Sequence, residues 1–244
     1  VASEDKKEVG KKFRDYFEFS ENLNKVPSHR LLAMLRGRQE NVLGLKVDGE
    51  DDAPLARIET EYNLETLQPQ SRQDYLKQTA KLFWLGKVRP QIEHSLLTDK
   101  RLSAEAEAMD VFAEKVYNPK LHRQEVFFDK HYNTILNLHS YGHDIETAWL
   151  IDRGCKVLDD PELTQKMYAI TRDLTAQIYK VAFDGHSLAN ECDRGVVNVH
   201  RVWWVQAETV IGFLNGYEKE PEKTEYLEAA EKEWAFIRDH VIDK

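Results

Sequence analysis

Apolar residues recur at intervals of three and four along most of the chain, which predicts a mainly helical protein. In the first part, Leu31, Leu32 and Leu35 follow this spacing. Ser28 can cap their helix and Gly37 can end it. Similar patterns predict further helices at about residues 71–87, 100–116, 140–157, 161–182, 198–217 and 222–240.

Four stretches break the helical pattern. Residues 41–47 are expected to be extended, and the acidic residues 48–54 to form a solvated turn, since they lack the spaced ligands of a calcium loop. Pro90 opens a segment between two predicted helices, because proline is poorly tolerated inside a helix. Aromatic and β-branched residues within 121–138 predict a short hairpin or a long loop.

The composition is that of a globular protein with an acid excess. The 244 residues include 34 basic and 43 acidic side chains, so the formal net charge is −9. This charge argues against a general affinity for nucleic acid or an anionic membrane. No apolar run is long enough for a membrane helix, and none follows the charged N-terminus as a secretion signal would require. Two cysteines without disulfide or zinc spacing suit a reducing, cytoplasmic location.

Residues 139–149 carry the clearest candidate chemistry. On one helix, His139, His143, Glu146 and Trp149 would share a face that is polar where a core stripe should be apolar. Histidine transfers protons near neutral pH, and a carboxylate one turn away can orient it. An ordinary helix with a satisfied His–Glu pair is the competing interpretation. A zinc site is a distant one, because Ser140 stands where the metalloprotease motif needs glutamate.

A second cluster follows at residues 200–208, which we expect on one helix. Trp203 and Trp204 are adjacent and cannot both face one core, so one indole can line a cavity and offer its face to a sugar ring. Glu208 shares a helix face with Trp204. The structural alternative is that one tryptophan belongs to the core and the other to a domain interface.

The motifs of the second part resemble a known enzyme family. Residues 140–150, with Phe127–Lys130 upstream and Trp203–Glu208 downstream, look like the cellobiose 2-epimerase branch of the N-acylglucosamine 2-epimerase family. The resemblance runs from about residue 117 to residue 244. It implies part of an (α/α)6 barrel, and an enzyme that inverts C2 of an aldose or of the reducing-end sugar of a disaccharide. It implies neither a metal nor a cofactor.

The same resemblance assigns roles to individual residues. His143 is implied to be a catalytic acid/base that Glu146 supports. Trp203 is implied to stack on the sugar, and Glu208 to contribute to the site. Trp149 and Tyr141, from the same motif as His143, complete the expected set of substrate contacts.

The chemistry of C2 inversion requires more than this segment provides. Removing the C2 proton gives an enediolate, and inversion requires reprotonation on the opposite face, hence two acid/base groups. His143 is the one convincing candidate, and spacing alone assigns the second role to neither His139 nor His200. In the family, a second histidine and a substrate-holding arginine lie in segments that we do not find here. We therefore expect half of an active site, with activity left open.

The first part resembles a different family. Residues 12–21, 26–30 and 34–38 look like the helical N-terminal region of the Tex family of transcription accessory proteins, a similarity that extends over about residues 8–116. It implies association with nucleic acid, although the modules expected to bind it are absent. Arg30, Arg36 and Arg38 could touch phosphate, and a solvated or salt-bridged helix end is the favoured alternative.

The two resemblances meet near Val116 and Tyr117 without a linker rich in Gly, Ser or Pro. We therefore predict two domains, residues 1–116 and 117–244, joined as two fragments. An open barrel face could be covered by the first part or by a second copy of the chain. Three hypotheses follow: a sugar 2-epimerase, a Tex-like module that contacts nucleic acid, and a composite whose motifs are relics.

Overall fold

Helices form most of the structure, a computed structural model that describes residues 10–242 and confirms the mainly helical prediction. The chain divides into two compact units, Val1–Glu105 and Ala106–Lys244. No helix in the described range combines the length and apolar content needed to cross a membrane.

In the first unit, a short 3₁₀ turn at Arg14–Tyr16 precedes the four longer described helices. Helix α1 spans Ser28–Gln39, α2 spans Asp52–Glu61, α3 spans Gln70–Phe83, and α4, which continues into the second unit, spans Arg89–Val111. Pro27, in an extended conformation, stands at the cap position, so Ser28 is the first helical residue and not the cap that the sequence predicted.

Two further predictions for the first unit were wrong. Residues 48–54 are not all turn, because α2 begins at Asp52 and holds Pro54 in its first turn, where a missing N–H is least costly. Pro90 does not separate two helices either. A π-helical turn, Trp84–Val88, joins α3 to α4, and the Arg89 N–H bonds to the Trp84 carbonyl. This wider turn changes the bonding pattern just before the proline.

The second unit combines short strands with four long helices. After a π turn at Phe112–Val116, β1 (Tyr117–Asn118) pairs with β2 (Arg123–Gln124). Strands β3 (Leu138–Ser140), β4 (Glu191–Asp193) and β5 (Val196–Asn198) form an antiparallel sheet in that order. The remaining elements are helices α5 (Tyr141–Leu158), α6 (Pro161–Val181), α7 (Trp203–Lys219) and α8 (Thr224–His240).

Local sequence signals explain where these elements start and stop. Asp160 caps α6 by accepting the backbone N–H groups of Glu162 and Leu163, each at 3.0 Å, with Pro161 as the first helical residue. Within the predicted hairpin or loop of residues 121–138, Phe128 bridges Thr134, whereas Arg123–Gln124 pair with β1 and Leu138 pairs with β4.

The core of the second unit lies between its helices. Helix α5 packs against α6 and α7, and α7 packs against α8. Phe213 of α7 is fully buried and stacks on Tyr226 of α8 with ring centroids 6.0 Å apart. Ile145 of α5 and Ile178 of α6 complete the same cluster. This packing fixes one face of α5 and leaves the opposite face for the site.

Gly212 marks a close approach of α7 to α5, which gives a stability prediction. A Cβ at residue 212 would lie 2.3 Å from Ile145 Cγ1 and 3.1 Å from the Ile145 carbonyl oxygen. We expect Gly212→Ala to lower the free energy of unfolding by about 1–3 kcal/mol in urea titrations. Gly86→Ala is the control, because a Cβ there meets no atom within 4 Å. Equal effects of the two variants would contradict the close approach.

Candidate active site

His139 and His143 belong to different elements, which corrects the predicted four-residue helix face. His139 lies in β3 opposite Cys192 of β4, so the helix starts only at Tyr141. Its side chain is 7% exposed, and its Nε2 lies 2.8 Å from Oδ2 of the fully buried Asp144. Burial raises the pKa of Asp144, and the hydrogen bond from His139 opposes that shift. His139 therefore anchors the start of α5.

His143 lies on the exposed side of the first turn of α5. Its Nδ1 is 2.6 Å from the Ser140 hydroxyl oxygen. Its ring lies against the Trp204 indole, with centroids 5.1 Å apart. Because Nδ1 is engaged, Nε2 is the nitrogen that can exchange a proton with a ligand.

Two glutamates share this region with His143. Glu146 is partly buried one turn further along α5, and Glu208 is partly buried on α7. Burial is the largest cause of the raised pKa of Glu146, and the Glu208 charge raises it further while His143 lowers it. The three groups therefore interact electrostatically, although they come from two helices.

Trp149 joins the two helices beside the glutamates. Its indole Nε1 donates a hydrogen bond to Glu208 Oε2 at 2.7 Å. A charge-assisted bond of this kind fixes the carboxylate and leaves its other oxygen for a ligand. The structure thus places Trp149 in contact with an expected site residue.

The adjacent indoles of α7 occupy different surroundings. Trp204 is partly buried and packs against the core cluster, and its ring approaches Gly142. Trp203, the first residue of α7, is 68% exposed. The predicted helix 198–217 was wrong at its start, because residues 196–198 pair with β4, and His200 therefore precedes the helix.

Tyr141 does not join the other expected substrate contacts. Its side chain is 3% exposed within the core cluster, and its ring lies 4.7 Å from that of His139. Burial raises the pKa of Tyr141 to about 12, and the thiol of Cys192 adds to this shift. A side chain so enclosed cannot meet a sugar in this structure, so we leave it out of the candidate site.

Sequence reasoning gave Ser140 no role, although its contact with His143 was detectable. The two residues are three positions apart, as the i and i+3 neighbours of a helix start are. The searched, described part of the chain holds no group of three or more side chains arranged to bind a metal ion.

The second part of the chain matches the model of a known enzyme family. The family model described as N-acylglucosamine 2-epimerase (GlcNAc 2-epimerase) matches residues 97–244, more than half of the chain. The chain belongs to the N-acylglucosamine 2-epimerase family. The resemblance seen in the sequence motifs is thereby confirmed.

Individual epimerases are also similar to this chain in sequence and in structure. A cellobiose 2-epimerase from Eubacterium cellulosolvens is 45% identical over 159 residues, which are 65% of this chain and 38% of that protein. The crystal structure of a sugar epimerase from a ruminal bacterium superposes with a TM-score of 0.56 at 33% identity, over 68% of this chain and 40% of the other. The chain thus spans about two fifths of the length of these relatives.

The first part has relatives of its own. A model described as Tex central region-like matches residues 1–112. Protein tex from Bordetella pertussis is 39% identical over 121 residues, which are 45% of this chain and 15% of that protein. The second sequence resemblance is confirmed as well, and the two matched regions overlap between residues 97 and 112.

The contact between Trp149 and Glu208 leads to a prediction about the site. Trp149→Phe keeps an aromatic ring but removes the donor to Glu208, and hydrogen bonds to charged groups contribute about 1.5–3 kcal/mol. We expect Trp149→Phe to lower the free energy of unfolding by about 1–3 kcal/mol in urea titrations, because Glu208 loses its donor. Trp234→Phe, on an exposed side chain of α8, is the control. Equal stabilities of all three proteins would contradict a role for this bond.

Proposed function

We propose that the second unit carries an acid/base site that exchanges the C2 proton of an aldose or of the reducing-end sugar of a disaccharide. The observation that carries the proposal is the cluster of His143, Glu146 and Glu208 on the open side of α5 and α7. Proton abstraction next to a carbonyl needs a base near neutral pH and polar groups for the developing charge.

The roles follow from chemistry and position. Nε2 of His143 takes the proton from C2, and the electrons of the broken C–H bond pass to the carbonyl to form an enediolate. Glu146 supports the imidazole through its charge: burial and Glu208 raise the pKa of Glu146, and the attraction between His143 and the carboxylate lowers it. The exposed indole of Trp203 offers a stacking surface for the sugar ring.

The arrangement favours chemistry on one face of C2. His143 is the imidazole that reaches this cluster from the described part of α5, whereas His139 is buried in a pair with Asp144. Inversion requires a proton delivered to the opposite face. We therefore propose that this chain exchanges the C2 proton more readily than it inverts the centre.

Incubating the chain with cellobiose in deuterated water tests the proposal. We expect deuterium at C2, detected by the loss of the C2 proton signal, with a smaller amount of the C2 epimer. Absence of both deuterium exchange and epimer would refute the proposed function. Mannobiose serves as a second substrate with the opposite configuration at C2.

A second candidate function concerns the first unit. Arg36, Arg38 and Arg101 line a cavity of about 710 Å³ there, and three guanidinium groups around one cavity favour a phosphate ligand. Arg36 lies 2.9 Å from Glu40 and Arg101 lies 3.0 Å from Glu105, which reduces their net charge. We expect weak RNA retention that disappears as salt is raised. A filter-binding assay measures it, and no retention at low salt would exclude this function.

A further inference from the structure

Ser140 occupies the cap position of α5 but does not cap the helix. Its backbone is extended, with φ −89° and ψ 101°, which is the usual conformation of a cap residue. A serine in this position normally accepts a backbone N–H of the first turn and stabilises the helix by about 1 kcal/mol. Here no such bond forms, and the hydroxyl contacts His143 Nδ1 at 2.6 Å. The Ser140 hydroxyl therefore hydrogen-bonds to the imidazole of His143 and not to the backbone of the helix.

The surroundings hold this hydroxyl in place. Ser140 is 7% exposed and pairs with Glu191 in the sheet, and the next residue donates its N–H to the Asn190 carbonyl at 3.3 Å. On either side of the contact, His139 and Asp144 form their buried pair. The serine thus lies in a strand beside a buried hydrogen-bonded pair, and a contact on such elements is held more precisely than one on a loop.

The second side of the imidazole is fixed by Trp204, whose ring centroid lies 5.1 Å from that of His143. With Ser140 at Nδ1 and the indole against the ring, the remaining nitrogen is Nε2. A neutral histidine can accept a proton at Nε2 only when its own hydrogen resides on Nδ1, and the partner of Nδ1 decides which tautomer is populated.

We propose that Ser140 is a positioning residue whose Oγ accepts the Nδ1–H of His143 and thereby keeps the Nε2 lone pair free to take the C2 proton. This inference rests on the proposed function for its catalytic consequence. In the step, the C2–H bond breaks, its electron pair enters the enediolate, and the proton binds Nε2. The Nδ1 hydrogen stays on His143 and remains donated to Ser140 Oγ throughout, so the imidazolium that forms keeps the same hydrogen bond and orientation.

The tautomer of His143 is a direct test that needs no substrate. In the full ¹⁵N-labelled chain at about pH 8.5, where an ordinary imidazole is neutral, long-range ¹H–¹⁵N spectra distinguish the two tautomers. We expect His143 to carry its hydrogen on Nδ1. Ser140→Ala shifts the population towards the Nε2–H form, and Ser140→Thr, which keeps the hydroxyl, retains the original form. Ser95→Ala, on an exposed residue of α4, is the control.

An Nε2–H tautomer in the unmodified protein, or an unchanged tautomer in Ser140→Ala, would overturn the inference. The unfolding midpoint of each variant shows whether it is folded. Because the hydroxyl makes no cap bond, we expect Ser140→Ala to retain the midpoint of the parent.

Kinetics add a second readout that a purely structural role would not reproduce. For C2 deuterium exchange, we expect Ser140→Ala to lower kcat about tenfold with KM unchanged, and Ser140→Thr to restore it. An equal loss of kcat in Ser140→Ala and Ser140→Thr would contradict a role for the hydroxyl. If the parent chain exchanges no C2 proton while the tautomer still depends on residue 140, the proposed function fails and the positioning role stands.

Discussion

Replacing His143 with asparagine is expected to lower the rate of C2 proton exchange by about 10²–10⁴-fold, the usual contribution of a general base. Asparagine has a similar reach and can still hydrogen-bond to Ser140, but its amide cannot accept a proton from carbon near neutral pH. The rate of deuterium incorporation at C2 of cellobiose measures the effect. Because His143 is exposed, its loss should leave the unfolding midpoint unchanged.

His186→Asn is the matched control for this variant. His186 is exposed in the loop after α6, and its backbone N–H, not its ring, bonds to Asp184 Oδ1. We expect it to exchange C2 protons at the parental rate. If His143→Asn exchanged C2 protons as fast as His186→Asn, His143 would not be the base, and the proposed site would lose its central residue.

Local signals made several elements of the second unit predictable from sequence. The start of α6 follows from Asp160, which caps the helix by accepting the N–H groups two and three residues further on, and from Pro161 as the first helical residue. His143 and Glu146 also lie on one helix as expected, because helical spacing is a local property.

Contacts between distant segments explain what the sequence did not reveal. His139 left the predicted helix because β3 pairs with β4, and that pairing joins residues more than fifty positions apart. His200 lies outside α7 for the same reason, since β5 completes that sheet. A helical pattern in the sequence cannot exclude such pairing, because tertiary contacts override local preference.

The candidate site has the same mixture of local and non-local contacts. The bond from Trp149 to Glu208 spans two helices and has no signature in the sequence. Tyr141 stands in the motif two positions before the exposed His143, yet it points into the core because α5 starts where the sheet ends. Resemblance to a family identified the motif, whereas burial decided which of its side chains a ligand can meet.

The buried carboxyl group of Glu233 leads to a prediction about how the stability of the folded chain depends on pH. It lies on α8, is 0% exposed, and neither carboxylate oxygen has a hydrogen-bond partner among the described residues. The nearby Leu188 N–H donates to Gln206 at 3.2 Å. Burial raises the pKa of Glu233 from 4.5 to about 8, with Arg201 opposing the shift and Asp184 adding to it.

The sign of the pH dependence follows from this raised pKa. Below about pH 4.5 the group is protonated in both states and has no effect on their balance. Between about pH 4.5 and 8 the unfolded chain releases the proton and the folded chain keeps it, so stability falls as pH rises. Above about pH 8 both states are ionised, and the loss has reached its full size of about 5 kcal/mol.

Glu233→Gln removes this ionisation and should therefore become more favourable as pH rises. We expect its stability relative to the parent to increase by about 3 kcal/mol between pH 6 and pH 9. Urea titrations followed by tryptophan fluorescence report mainly on the second unit, which holds four of the five tryptophans. The comparison between two pH values cancels any constant cost of the buried amide. Glu231→Gln, on an exposed residue of α8, should show no such increase. A parallel pH dependence of Glu233→Gln and the parent would mean that Glu233 ionises in the folded protein as it does in the unfolded chain.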